Sequence, residues 1–130
     1  MDKSKTLLFV DDDQAMLNSL RRVFLDEPYE THFALSGKKA LELMQQQDVD
    51  IVVSDMRMPG MDGQELLTTI KERYPRVIRI MFSGQPNVKQ GEISTLIKMI
   101  NQGDIFKFIG KTVNMNTDVI NAIQEAIALD

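Results

Sequence analysis

The chain has 130 residues, 43% of them hydrophobic and 26% charged, which is enough for one compact domain with its own core. A net charge of −4 and the lack of any Lys/Arg run leave no electrostatic footprint for nucleic acid. With no cysteine and a single histidine, disulfides, thiolate zinc sites, cysteine nucleophiles and His-rich metal sites are excluded, and a Ser-His-Asp triad is not expected.

Residues 1–5 carry two lysines ahead of Thr6-Leu7-Leu8-Phe9-Val10, faintly like a signal peptide. The apolar stretch is too short for one, and three acids follow it at once. No segment approaches the roughly 18 apolar residues of a membrane helix, so a cytoplasmic protein with no membrane partner is expected.

Leu7-Leu8-Phe9-Val10 is a continuous apolar run, the pattern of a strand covered on both faces. Met16, Leu17, Leu20, Val23 and Phe24 then recur with helical spacing through about Asp26, and Pro28 closes the unit. Residues 29–34 read as a second strand, less apolar and therefore nearer an edge, with His32 at its surface or half-buried. Ser36 is a suitable N-cap for a helix with Ala40, Leu41 and Met44 on one face. Ile51-Val52-Val53 is a third strand, followed by a loop over 56–62 that holds Pro59 and Gly60. Leu66, Leu67, Ile70 and Tyr74 mark the third helix, which Pro75 ends. Residues 77–82 give the fourth strand. Residues 87–101 give a fourth helix through Ile93, Leu96, Ile97 and Ile100, with Gly91 interrupting its first turns. Residues 105–109 form the fifth strand, and Met115, Val119, Ile120, Ile123 and Ile127 a last helix. The methionines, such as Met44, Met99 and Met115, stand at core spacing and read as packing.

Strict alternation of strands and helices implies an α/β fold, a doubly wound parallel sheet with right-handed crossovers. In such sheets chemistry gathers beyond the carboxyl ends of the strands. Here those ends share a theme: Asp11-Asp12-Asp13, Ser54-Asp55, Ser83-Gly84 and Gly110-Lys111. Each has an ordinary explanation when taken alone, and Asp13 is expected to be a helix N-cap. Together they bring carboxylates, a hydroxyl and an ammonium to one edge. Two carboxylates about 4 Å apart repel by roughly 4 kcal/mol at an effective dielectric of 20. Such a cluster needs protons or cations, and an all-oxygen set suits a hard cation, Mg²⁺ first. An ionised Asp beside that cation can attack phosphorus, and Lys111 and Ser83 can surround the transferred oxygens.

Phe9-Val10-Asp11-Asp12-Asp13, the stretch from Val53-Ser54-Asp55-Met56-Arg57 through Pro59-Gly60-Met61-Asp62-Gly63, Ser83-Gly84 and Lys111 resemble the signature of bacterial response-regulator receivers. The resemblance spans nearly the whole chain and implies a flavodoxin-like (βα)5 sheet in the order 2-1-3-4-5, residues 1–130 forming one receiver domain. It implies Asp55 as phosphoacceptor. Asp11, Asp12, Asp55 and the backbone carbonyl of Arg57 would hold Mg²⁺, with Mn²⁺ as a substitute. Lys111 would pair with the phosphoryl group, Ser83 would move to bond it, and Phe108 would reorient. The face made by the fourth helix, fifth strand and fifth helix would carry the signal. The implied partners are a sensor histidine kinase or phosphotransfer protein, an output domain or protein, and a second copy of the chain on phosphorylation. Such a domain is a signalling module and not an enzyme beyond its own phosphotransfer and dephosphorylation. The 101–108 segment also resembles receivers joined to downstream output domains, so a receiver cut from a longer regulator is expected.

Three features depart from the family pattern. Thr112 stands where receivers commonly have a proline after the lysine, often in a cis bond. A cis bond before a non-proline costs about 2.5–4 kcal/mol, so a trans bond that places Lys111 differently is expected. The segment from Ser83 to Lys111 is several residues longer than the family's, which alters the fourth helix or its lead-in. Arg57 sets a cation beside the site, and its side chain is expected to fold over the aspartyl phosphate and shield it from water.

Two other readings share part of the pattern. Asp11 and Asp13 satisfy the Asp-x-Asp motif of haloacid-dehalogenase-like phosphatases, although the later acidic pair and cap of that family are not found; steady phosphomonoester turnover would favour it. A pseudo-receiver that binds partners without phosphate is the other. The joint presence of Asp11, Asp12, Asp55, Ser83 and Lys111 speaks against it, while Thr112 keeps it open.

Overall fold

The structure is a computed structural model that describes residues 5–84, 91–112 and 114–129. Five strands, β1 (Thr6–Val10), β2 (Glu30–Ala34), β3 (Ile51–Ser54), β4 (Ile78–Ser83) and β5 (Lys107–Gly110), alternate with five helices. The helices are α1 (Gln14–Val23), α2 (Gly37–Gln46), α3 (Gly63–Arg73), α4 (Glu92–Asn101) and α5 (Met115–Ala128). The strands pair in parallel in the order β2-β1-β3-β4-β5, so the chain direction across the sheet reverses between β1 and β3. This is the doubly wound architecture expected from the alternation.

Successive strand residues point to opposite faces, and the core divides accordingly. Leu8, Val10, Val52 and Met81 pack with Ala40 and Met44 of α2, Leu66 and Ile70 of α3, and Leu96 and Met99 of α4. Leu7, Phe9, Ile51, Val53, Ile80 and Phe82 pack with Leu17 and Leu20 of α1 and with Val119 and Ile123 of α5. Both faces of β1 and β3 are therefore covered, which is why those strands read as unbroken apolar runs. β2 lies at an edge and is only partly covered, with His32 Nε2 lying 3.0 Å from Glu30 Oε2.

Several element boundaries differ from the sequence expectation. α1 ends at Val23, because Phe24 leaves the helix to lie 5.1 Å from the Phe9 ring inside the core. β4 starts and ends one residue later than expected, since Val77 closes a turn onto Tyr74 and Ser83 still pairs with Gly110. β5 starts two residues later and ends one residue later than expected, because buried Ile105 belongs to the turn leaving α4, its N–H donating to the Met99 carbonyl. α4 begins only after Gly91, whose φ of 71° is left-handed and cannot continue into the helix. The rest of its expected lead-in, 85–90, lies outside the described residues. The methionines Met44 and Met99 are core residues, and Met115 is partly buried against the α1/α5 layer.

Candidate functional site

The carboxyl ends of β1 and β3 meet through their backbones: the Asp55 N–H donates to the Val10 carbonyl at 2.9 Å. This hydrogen bond carries Asp11 and Asp55 into one recess, where they are 2% and 8% exposed. Asp12, next in sequence, points to solvent. One carboxylate oxygen from each of Asp11, Asp12 and Asp55 lies within 4.8 Å of the others. Asp13 turns away and caps α1, accepting from the Ala15 N–H at 2.9 Å and the Met16 N–H at 3.4 Å. It is thus committed to the helix end, as its position suggested, and the Asp-x-Asp reading loses its second acid.

Hydrogen bonds fix the two buried carboxylates. Asp11 Oδ1 accepts from the Asp13 N–H and Asp55 Oδ1 from the Met56 N–H, both at 2.9 Å. Lys111 follows β5, and its N–H donates to the Ser83 carbonyl, tying the ends of β5 and β4 together. Its ammonium sits 2.7 Å from Asp11 Oδ2 and 3.5 Å from Asp55 Oδ1. Burial holds the Asp11 carboxyl above the usual carboxylate range; hydrogen bonds from Lys111 and the Asp13 amide and the Lys111 charge pull it back, while the Asp55 charge raises it. Mutual repulsion and desolvation at this cluster would both be relieved by an added cation. Three carboxylates without a nitrogen or sulfur donor fit a hard divalent cation such as Mg²⁺.

Ser83 is buried at the end of β4 opposite Gly110. Phe108 is half-buried on β5 opposite Met81 and packs against the α2/α3/α4 layer. Among the described residues no peptide bond is cis, so Thr112 follows Lys111 in the trans form expected for a non-proline, and Lys111 still reaches the acid cluster.

Arg57 reaches across to the start of α4. Its Nη1 lies 3.4 Å from Glu92 Oε1, the first residue of α4, and its Nη2 lies 3.8 Å from where a Cβ on Gly84 would stand. Arg57 and Glu92 both line a groove of about 390 Å³ beside the acid cluster. Glu92 was missed in the sequence, where it reads only as an acid favourable at a helix N-terminus. Phe82 was also missed: its ring centroid is 5.5 Å from the Lys111 ammonium, close enough for a cation–π contact. Its place immediately before Ser83 was the available signal.

The response regulator receiver domain family model matches residues 7–124. Among curated relatives, the hydrogenase transcriptional regulatory protein HoxA of Cupriavidus necator is 34% identical over 110 residues, covering 85% of this chain and 22% of that protein. The transcriptional regulatory protein GlrR of Escherichia coli is 32% identical over 125 residues, covering 96% of this chain and 27% of that protein. The chain thus spans about a quarter of the length of these relatives. Among solved structures, the signal receiver domain of an HD domain-containing protein from Pseudomonas fluorescens superposes with a TM-score of 0.85 at 31% identity, covering 97% of this chain and 96% of that one. By its fold, its strand-end acids and this family match over nearly its whole length, the chain belongs to the response regulator receiver domain family of two-component signalling.

Proposed function

We propose that the chain accepts a phosphoryl group on Asp55 from a sensor histidine kinase or phosphotransfer protein, with Mg²⁺, or Mn²⁺ in its place, at the acid cluster. The observation that carries this reading is the convergence of Asp11, Asp12 and Asp55 within 4.8 Å, with Lys111 against two of them. Asp11, Asp12, Asp55 and the Arg57 carbonyl would hold the cation. When bound, it neutralises the cluster and the charge on the transferring oxygens. Asp55 supplies the attacking oxygen. Its new bond to phosphorus forms as the bond from phosphorus to the donor nitrogen breaks, and the donor imidazole keeps that electron pair. The Met56 amide orients the Asp55 carboxylate, and the Lys111 ammonium passes from Asp55 to a phosphoryl oxygen.

In this reading Ser83 and Phe108 follow the phosphoryl group and bias two packings of the α4–β5–α5 face. That face is suited to carrying a signal, since Ile93, Ile97, Ile100 and Phe106 are exposed on or beside α4. The output is an effector domain or protein met there, and a phosphorylation-dependent dimer would use the same face. The short span of the chain against its relatives supports a single receiver domain working within a longer regulator. Among the described residues no helix is long and apolar enough to cross a membrane. The proposed setting is cytoplasmic, without direct contact to nucleic acid or membrane.

The cation requirement is directly testable. Acetyl phosphate should label the chain when Mg²⁺ or Mn²⁺ is present and fail to do so in excess chelator. Without phosphodonor, Mg²⁺ at a hundred times its Kd should stabilise the fold by about 2.7 kcal/mol. Asp12→Ala should remove most of that gain. Full labelling in chelator would contradict the reading.

A further inference from the structure

We propose that Glu92 is a positioning residue that holds Arg57 away from Asp55, and that the aspartyl phosphate and Glu92 compete for the Arg57 guanidinium. The inference rests on the phosphoacceptor reading above and extends it to the release of α4.

The pair joins the β3–α3 loop to the start of α4, and both residues line the groove beside the acid cluster. Arg57 stands two residues beyond Asp55 in the β3–α3 loop, and Glu92 is the first residue of α4. The Glu92 side chain is only 11% exposed, whereas the Arg57 side chain is 49% exposed. The acid is therefore fixed in the wall and the cation is the part able to move. The approach of Nη2 to Gly84 places the guanidinium beside the residue that follows β4.

The opposite end of α4 is secured independently. Lys71 of α3 donates to the Gln102 carbonyl and the Asp104 carboxylate, both at 2.9 Å. Arg79 of β4 donates to the carbonyls of Asp104 and Gly103 at 2.9 and 3.1 Å. A helix anchored at its C-terminal end, with its first residue tied to the active-site loop, moves at that first turn when the tie is exchanged.

Charge decides the direction of the exchange. A phosphoryl group carries about −1.5 to −2 charges and three strong acceptor oxygens, against a single charge on Glu92. Glu92 does not become an isolated charge when Arg57 leaves, because the α4 N-terminus carries a partial positive charge. Arg57 drawn onto the phosphoryl group then covers the face from which water attacks. In that hydrolysis water bonds to phosphorus, the Asp55 carboxylate leaves with the P–O pair, and inorganic phosphate is released. The shielding expected of Arg57 from the sequence thus belongs to the phosphorylated state, and Glu92 sets how much of it is available.

The test is the lifetime of the acetyl phosphate-labelled chain in wild type, Glu92→Gln, Arg57→Ala and the double variant, after removal of excess donor. Glu92→Gln should lengthen the lifetime by several-fold and up to about tenfold, equivalent to about 1.4 kcal/mol in the barrier. Arg57→Ala should shorten it, and Glu92→Gln should have no further effect in the Arg57→Ala background. A purely structural Glu92 would act equally with and without Arg57, and that result overturns the proposal, as does an unchanged lifetime in Glu92→Gln. Wild type supplies a check that needs no variant. Beryllofluoride with Mg²⁺ should shift the NMR signals of the Arg57 guanidinium, the Glu92 carboxyl and the Ile93 amide together. A Glu92 signal that stays in place overturns the exchange. If wild type takes no label at all, the phosphoacceptor reading fails and the inference with it; labelling with a Glu92-independent lifetime sinks the inference alone.

Discussion

Lys111→Met is expected to cost about 3 kcal/mol of stability in chelator, the typical penalty for leaving a buried charge without its partner. The ammonium lies 2.7 Å from Asp11 and 3.5 Å from Asp55, and its side chain is 18% exposed. Removing it leaves two desolvated carboxylates facing each other. The same removal takes a competing positive charge from the cation site, so Mg²⁺ should bind the variant at least several-fold more tightly. The stability deficit should therefore shrink as Mg²⁺ is added, which separates an electrostatic role from simple loss of packing. Labelling of Asp55 should persist, since the cation does most of the charge neutralisation. The change at Phe108 and α4 should be largely lost, because no ammonium remains to follow the phosphoryl group. Urea unfolding in chelator and in Mg²⁺, with amide shifts of the labelled variant, checks each part. An equal deficit in both solutions, or a full response at Phe108, would refute the role assigned to Lys111.

Gly63→Ala is expected to destabilise the fold by about 3 kcal/mol and to slow labelling by about tenfold or more. Gly63 opens α3, and its N–H donates to the Met56 carbonyl at 2.8 Å. A Cβ there would fall on the carbonyl oxygen of Asp55 and stand 2.8 Å from Met56 Cα. Those are backbone atoms of the phosphoacceptor segment, with no flexible side chain to yield. Either α3 moves out or Asp55 moves, and both disturb the carboxylate that attacks phosphorus. Gly60→Ala is the control in the same loop. Its φ of 75° makes alanine unfavourable by about 1–2 kcal/mol, yet a Cβ there meets open space and labelling should be unaffected. A Gly63→Ala protein with wild-type stability would show that the close approach is not a constraint.

The main architecture was legible because it rests on short-range pattern. Leu7 to Val10 and Ile51 to Val53 are continuous apolar runs because both sheet faces are covered, and the acids at their ends sit where the strand order reverses. Asp13 and Ser36 were legible as caps because a cap acts within three residues of itself. The end of α1 was not, since Phe24 has helical spacing but is drawn into the core by Phe9. The register of β5 was hidden for a similar reason: Ile105 is apolar enough for a strand, yet packs beneath α4. Arg57 was legible as a residue bordering the phosphoryl site because it stands two positions from Asp55. Its tie to Glu92 spans two elements that meet only in three dimensions, and no local pattern encodes it.

Intact mass identifies the phosphoacceptor most directly. Wild type treated with acetyl phosphate and Mg²⁺ should gain the mass of one phosphoryl group, and Asp55→Asn treated in the same way should gain none. Equal labelling of Asp55→Asn would place the phosphoryl group elsewhere and contradict the assignment.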